Sequence, residues 1–362
     1  MKISFNSTIF SQEKAGGISR YFICLIKKLI ENNIDIKVTS ILHKNIFLKT
    51  LSKKHLSGFY LSNYPLLKSI EKLNIAKFNK YNFKNSTDII HDTYYTSGLK
   101  KYKKMKKIIT VHDLIHEKFK DFYRNSQYLI DLKKKSFEDC DHFICVSQNT
   151  KKDLIENYKI DNNKISVIYH GADHLLKKNI DKNFKIDNPF ILFVGNRERY
   201  KNFNFLLKAY SKSKKISSNF NLVCFGGGKF SKKENELIDK FYITKKIIHV
   251  TGDDQLLCNY YSNAKALIIP SIYEGFGLTL IEAMRFKCPI FCSNIDVFKE
   301  ISNDYVINFD PRNELDLISQ LEDNLFNESK LNEISLKAFK NSENFTWEKN
   351  ALNTIEVYNK LI

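Results

Sequence analysis

Arginine is scarce in this chain. Only six of the 58 basic residues are arginines (Arg20, Arg124, Arg197, Arg199, Arg285 and Arg312), set against 40 acidic residues. Nucleic-acid readers rely on arginine for bidentate base contacts and gather it in compact patches, so a charge of +18 carried by dispersed lysine argues against that class. An AT-rich genome enriches lysine, asparagine and isoleucine without selection for binding. What remains of the excess points to an acidic partner such as an anionic membrane face or a phosphorylated substrate. Long apolar runs are missing too. None approaches 18 residues, so no membrane span is expected, and MKISF enters a strand pattern at once without the apolar segment of a signal peptide. The seven cysteines (Cys24, Cys140, Cys145, Cys224, Cys258, Cys288 and Cys292) are odd in number, scattered and mostly in apolar runs, which reads as reduced core residues of a cytosolic protein. No P-loop occurs, and Gly226, Gly227 and Gly228 lack the G-x-G-x-x-G spacing, so ATPase and dehydrogenase readings have no support.

What is present is an α/β pattern used twice. With 362 residues, 43% hydrophobic and 27% charged, the chain is neither disordered nor fibrous and has room for two cores. Short β-branched runs at 3–9, 34–42, 89–91, 108–111, 143–146 and 165–169 alternate with amphipathic stretches. A polar Lys/Asn/Asp-rich run then reads as a linker. The pattern restarts with strands at 191–194, 222–225, 247–250, 266–270, 289–292 and 305–309, and helices near 203–213, 233–241, 255–263, 278–287 and 313–325. The expected division is a first domain over 1–174, a linker over 175–189, a second domain over 190–344 and a terminal helix over 345–362, with Thr346 as its N-cap.

Four segments carry candidate chemistry. The most specific is 271–284, SIYEGFGLTLIEAM, which follows the buried strand 266–270 and so lies at the carboxyl end of a parallel strand, where open α/β sheets bind ligands. Gly275 and Gly277 allow close backbone approach, the helix opening at Leu278 favours an anion, and Glu274 and Glu282 can accept hydrogen bonds from sugar hydroxyls. Second is 193–203, FVGNRERYKNF, where Lys201 opens a helix after a strand and a glycine turn and can neutralise a diphosphate. Third is 13–21, EKAGGISRY, in which Gly16 and Gly17 form a possible anion cradle, an ordinary flexible turn being the alternative. Fourth is 109–116, ITVHDLIH, a buried strand that ends on His112. A strand-terminal His-Asp is equally a structural pair, and Ser147 or Thr150 is a plausible helix cap. Asp139-Cys140-Asp141 imitates a metal-binding Asp-x-Asp but precedes a core strand, so no metal and no cofactor are expected.

Taken together and in this order, the four segments resemble the retaining glycosyltransferases of family 4, with their GT-B fold and Glu-x7-Glu signature. The resemblance covers nearly the whole chain. It implies two Rossmann-like parallel-sheet domains facing across a cleft, with the C-terminal helix crossing back to the first domain. It implies that Glu274 meets the donor sugar, that Glu282 binds the nucleotide ribose, and that the backbone of Gly275, Phe276, Gly277 and Leu278 faces the diphosphate. Lys201 stands at the family's diphosphate lysine. The partner arginine normally follows the glycine directly, but Asn196 is there and Arg197 comes one later, so either Arg197 swings in or Lys201 acts without it. Gly16 and Gly17 match the first-domain glycine loop, His112 the contact to the transferred sugar, and His91 with Asp92 a weaker acceptor-side element. The GGISRY form looks like a subgroup rich in bacterial mannosyltransferases.

The implied activity is hexose transfer with retention, mannose from GDP-mannose being the first choice. The acceptor is a glycan or lipid-linked carrier of surface polysaccharide, O-antigen or capsule. The alternatives are a sugar-nucleotide epimerase of the same fold and a non-catalytic polyanion-binding protein. The basic stretches 44–84 and 100–107 lie in the first domain and suggest reversible docking on the inner face of the plasma membrane, with no nucleic-acid partner.

Overall fold

The computed structural model describes residues 1–63, 67–102, 105–175, 180–181, 184, 186 and 188–362. The chain forms two units. One comprises Met1–His170 with Trp347–Ile362, and the other Gly171–Thr346. Most of the expected linker, residues 175–189, lies outside the described residues, as do positions 103 and 104 of the lysine run. The second unit begins earlier than expected because Gly171–Leu175 already bonds within it. Ala172 N–H donates to the Phe345 carbonyl at 3.1 Å, and the Cys258 thiol lies 3.8 Å from the Leu175 carbonyl.

The first unit holds a seven-stranded sheet made of β1 (Lys2–Asn6), β2 (Asp35–His43), β3 (Leu56–Tyr60), β4 (Ile89–Asp92), β5 (Lys106–Val111), β6 (His142–Cys145) and β7 (Ile165–Val167). The spatial order is β3-β2-β1-β4-β5-β6-β7, with every pairing parallel. Side chains alternate between two cores, as period-2 geometry requires. Ile108 and Ile144 join Tyr21, Phe22, Trp347 and Tyr358 under helices Gly17–Glu31 and Trp347–Leu361. Ile109, Phe143 and Cys145 join Phe137 and Leu154 under helices Ser126–Phe137 and Gln148–Tyr158. The terminal helix therefore completes the core of the first unit.

The second unit repeats the scheme with β8 (Phe190–Val194), β9 (Asn221–Phe225), β10 (Ile247–Val250), β11 (Ala266–Ile269), β12 (Ile290–Ser293) and β13 (Ile307–Phe309). The order is β10-β9-β8-β11-β12-β13, again all parallel. Chain direction across the sheet reverses between β1 and β4 in one unit and between β8 and β11 in the other. These are the switch points at whose carboxyl ends open sheets leave a crevice.

Several elements depart from expectation for local reasons. β1 stops at Asn6 rather than residue 9, because the Asn6 Oδ1 accepts the Thr8 N–H at 3.2 Å and turns the chain into the short helix Thr8–Gln12. The edge strand β3 and helices Lys214–Asn219, Asp296–Ser302 and Glu328–Ser342 are additional. Helix Leu67–Asn85 buries only Asn74, Phe78 and Asn82, too few apolar side chains to set up a helical stripe. Ser147 caps helix Gln148–Tyr158, its hydroxyl accepting the Thr150 N–H. Asp141 is engaged, its carboxylate accepting the Lys107 N–H at 2.7 Å and pairing with Lys101.

Candidate active site

The loops after β8 and β11, the two switch strands of the second unit, are tied together by the Ile272 N–H donating to the Tyr200 carbonyl at 2.8 Å. That bond sets the Arg199–Lys201 turn against the glycine-rich loop. The Lys201 Nζ then meets the Glu274 Oε1 at 2.6 Å, with Glu274 only 11% exposed. Asn202 follows in the left-handed region at φ 56° and donates from its side chain to the Pro311 carbonyl at 2.9 Å, which pins the turn.

Gly277 caps helix Leu278–Arg285 at φ 95°, and a Cβ there would stand 2.8 Å from the Phe298 ring. No side chain caps that helix, so its first turn presents main-chain donors and the positive end of its dipole. The Phe276 ring packs edge-on against Phe345 at 6.1 Å, so its side chain anchors the loop. One turn into the helix, Glu282 is buried. Its Oε2 accepts the Tyr261 hydroxyl at 3.0 Å, and its Oε1 lies 3.5 Å from the His174 Nε2. Burial, with the neighbouring Glu282 carboxylate, lifts the Tyr261 hydroxyl well above its ordinary value, so it remains a donor.

Arg197 is directed elsewhere. Its Nε donates to the Glu234 carboxylate at 2.6 Å, and its two terminal nitrogens reach the carbonyls of Gly226, Gly227, Gly228 and Lys229 at 2.9–3.4 Å. The guanidinium also lies 4.7 Å from the Phe230 ring centroid, and the side chain is 4% exposed. Gly226, Gly227 and Gly228 all stand at positive φ, which turns their carbonyls toward this one guanidinium. Asn196 is exposed, donating to Glu198 at 2.9 Å. Of the two alternatives left open by the sequence, the structure places Lys201 beside Glu274 and commits Arg197 to the glycine turn.

In the first unit, His112 follows β5 and is 8% exposed, packed edge-on against Tyr21 at 4.9 Å and Phe22 at 5.7 Å. Burial pushes its pKa down to about 4, against a smaller opposing pull from Asp113, so the ring is neutral at neutral pH. Its Nε2 has no hydrogen-bond partner among the described residues. Gly16 is extended, and Gly17 opens helix Gly17–Glu31. The N-terminal amide that would cradle an anion is met by the protein itself, since the Ser19 N–H donates to the Glu13 Oε2 at 3.3 Å. Burial raises the Glu13 pKa, and the bonds from Ser19 oppose it.

His91 is corrected by the structure from an acceptor-side residue to a core residue. Its two ring nitrogens are taken by the Tyr358 hydroxyl at 2.6 Å and the Thr110 hydroxyl at 2.8 Å, and burial depresses its pKa to about 3. Asp92 is equally enclosed, held by Asn6 at 3.0 Å and lying 3.5 Å from the Lys107 ammonium. Tyr261, His174 and Glu13 are site-adjacent groups that sequence reasoning missed. Tyr261 sits in an ordinary apolar helical pattern, and only its contact with Glu282 distinguishes it.

The sequence profile of Glycosyltransferase Family 4 matches residues 15–174, and that of Glycosyl transferases group 1 matches residues 176–341. The O-antigen chain mannosyltransferase RfbU of Salmonella typhimurium is 31% identical over 213 residues, 57% of this chain and 57% of that protein. The serotype-specific mannosyltransferase WbdA of Escherichia coli is 25% identical over 284 residues, 71% of this chain and 34% of the relative. The aligned stretches thus span less than two thirds of either relative. Sucrose-phosphate synthase from Thermosynechococcus elongatus matches in structure with a TM-score of 0.83 at 20% identity, covering 100% of this chain and 99% of that one, so the two share a fold. With a Rossmann-like sheet in each unit and the two profiles covering almost all of residues 15–341, the chain belongs to the family 4 glycosyltransferases of the GT-B class.

Proposed function

We propose that this chain is a retaining hexosyltransferase that moves mannose from GDP-mannose to a glycan or lipid-linked acceptor of a bacterial surface polysaccharide. The observation that carries the reading is the Lys201–Glu274 pair at 2.6 Å, which sets a cation and a carboxylate side by side on the loops of the two switch strands. The uncapped helix at Leu278 adds main-chain donors. Both relatives are named as mannosyltransferases, one for an O-antigen chain, which supports this choice of sugar and acceptor.

A diphosphate entering the site takes the Lys201 ammonium from Glu274 and frees that carboxylate to accept a hydrogen bond from the donor sugar. As the anomeric C–O bond breaks, charge builds on the leaving phosphate. Lys201 and the amides of Gly275 to Leu278 stabilise that charge more than the ground state. The acceptor hydroxyl attacks from the face the phosphate leaves, and the departing phosphate oxygen takes its proton, which gives retention without a side-chain nucleophile. Glu282 accepts from the ribose through the oxygen Tyr261 does not occupy, and neutral His112 hydrogen-bonds the transferred sugar. The positive charge needed is supplied by the protein, so chelator is expected to leave the rate unchanged.

The reading is tested with a panel of nucleotide sugars. GDP-mannose at about 100 times its Kd adds roughly 2.7 kcal/mol to the stability of the folded chain and raises Tm accordingly. Donor alone stays unchanged and is consumed only with an acceptor, whereas an epimerase converts it unaided. The absence of any stabilising nucleotide sugar would overturn the proposal. Glu282→Ala is expected to raise the donor KM far more than it lowers kcat. Tyr261→Phe, which removes the hydrogen bond that orients Glu282, is expected to raise KM in the same direction but by less than Glu282→Ala. An unchanged KM in both variants would remove the ribose role.

Among the described residues no helix is long and apolar enough to cross a membrane. We assign instead a peripheral position on the cytoplasmic face, through the outer side of helix Leu67–Asn85. That side exposes Leu73 (50%) and Phe83 (71%) among Lys68, Lys72, Lys80 and Lys84. Each well-placed lysine near an anionic surface contributes about 1 kcal/mol. The chain is expected to co-sediment with anionic vesicles at low salt, and the variant Leu73→Asp with Phe83→Asp to stay in the supernatant.

A further inference from the structure

Away from the loops described above, the first unit contains a cavity of about 710 Å³ between helices Ser126–Phe137 and Gln148–Tyr158. This volume lies within the range of about 300–1,000 Å³ typical of small-molecule sites. The half-buried Ile130 and Ile160 supply the accessible apolar floor, with the buried Phe137 and Phe143 packed behind it. Cys140 also lines it, but burial pushes the thiol pKa up, so the group stays neutral and unreactive.

The mouth is cationic. Lys120, Lys134, Lys159 and Lys164 line it and are exposed, and among the described residues none of them enters an ion pair of this unit. The acid in the wall, Glu117, is already satisfied by the buried Lys133 ammonium at 2.9 Å and the Tyr158 hydroxyl at 2.5 Å. Glu138 and Asp161 remain as two carboxylates against four ammonium groups. A purely apolar ligand leaves that charge unmet, and a bare phosphate leaves the floor wet. Only a molecule with both characters uses the whole site.

We propose that this cavity binds a single-chain anionic amphiphile, its hydrocarbon laid along Ile130 and Ile160 and its phosphate held at the lysine rim. The inference is independent of the transfer reaction, since it concerns residues to which that mechanism gives no part. Decyl phosphate, titrated calorimetrically below its micelle concentration into the full chain, is expected to bind one site. Inorganic phosphate and decyl maltoside are expected to bind at least tenfold more weakly. The double variant Lys134→Glu, Lys164→Glu changes only exposed side chains and is expected to weaken decyl phosphate at least tenfold with Tm unchanged. Ile130→Glu, which places charge on the floor, is expected to abolish binding. Equal affinity for the maltoside overturns the anionic rim, and equal affinity for inorganic phosphate overturns the apolar floor. An unchanged affinity in the lysine variant places binding elsewhere and overturns the proposal even if Ile130→Glu fails to fold.

Discussion

Lys201→Ala is expected to lower kcat by about 10²–10³ at saturating donor, the loss typical of removing one preorganised donor to a developing oxyanion. The effect is large because the alternative cation that the sequence offers, Arg197, is turned away from Glu274. Arg197, the nearest arginine in sequence to the β8 turn, has its donors committed to Glu234 and the carbonyls of the Gly226–Lys229 turn. KM is expected to rise as well. Without Lys201, the Glu274 carboxylate, 11% exposed, faces an incoming diphosphate as an unpaired like charge. Glu274→Gln in the Lys201→Ala background should therefore recover part of the lost donor affinity but none of kcat. In a double-mutant cycle the two positions are expected to couple, because each is the other's partner in the free protein. Arg197→Ala supplies the contrast. It loosens the glycine turn and lowers Tm, while kcat in the surviving folded protein changes far less than in Lys201→Ala. A fall in kcat smaller than tenfold for Lys201→Ala would show that the leaving group is stabilised by the main-chain donors alone.

The alternation of β-branched runs with amphipathic stretches was enough to locate nearly all the buried strands, because a parallel strand covered on both faces must be apolar throughout. β8 and β11 were read within one residue of where they lie, and so was the Gly277 start of its helix. Edge strand β3 escaped because its Leu56–Tyr60 run is half exposed and carries no such constraint. Helix Leu67–Asn85 escaped for the opposite reason, burying two asparagines with one phenylalanine and so lacking an apolar stripe. In the site, residue type and spacing identified Glu274 and Lys201, but not that they pair, since that depends on the Ile272–Tyr200 backbone bond between residues 72 positions apart. The direction of Arg197 was equally illegible. A guanidinium next to a glycine turn reads as an anion ligand until three left-handed glycines, 29 to 31 residues on, aim their carbonyls at it. His91 misled because a strand-terminal histidine looks the same in sequence whether it faces a crevice or, as here, a tyrosine from the terminal helix.

Acidification from pH 6.5 toward 4 is expected to destabilise the first unit strongly, well before general acid unfolding. Three of its histidines are held neutral by burial, with pKa values depressed to about 3 for His91 and about 4 for His43 and His112. The unfolded chain takes up a proton at each near pH 6.5 and the folded chain does not. The stability they allow is therefore complete above pH 6.5 and is lost as pH falls through the folded values. For His112 alone the shift corresponds to on the order of 3 kcal/mol. Asp92 runs the other way. Burial raises its pKa to about 6, so its folded state gains relative stability as pH falls from about 6 toward 4, offsetting roughly one histidine. Glu13, also raised by burial, acts with Asp92, while His116 and His142, also depressed by burial, act with the other histidines. The histidines prevail and leave a net loss, measurable as a steep fall in Tm between pH 6.5 and 4.5 in the full chain. His91→Gln keeps a polar side chain between Tyr358 and Thr110 but cannot titrate, so it is expected to start from a lower Tm at pH 7 and to show a flatter pH profile. If the slope of Tm against pH is the same in this variant as in the parent chain, the buried imidazole is not what acid attacks. The carboxylate of the first unit that is held down by hydrogen bonding, Glu348 with the Asn32 amide as its main partner and Lys28 beside it, would then be the group to replace next.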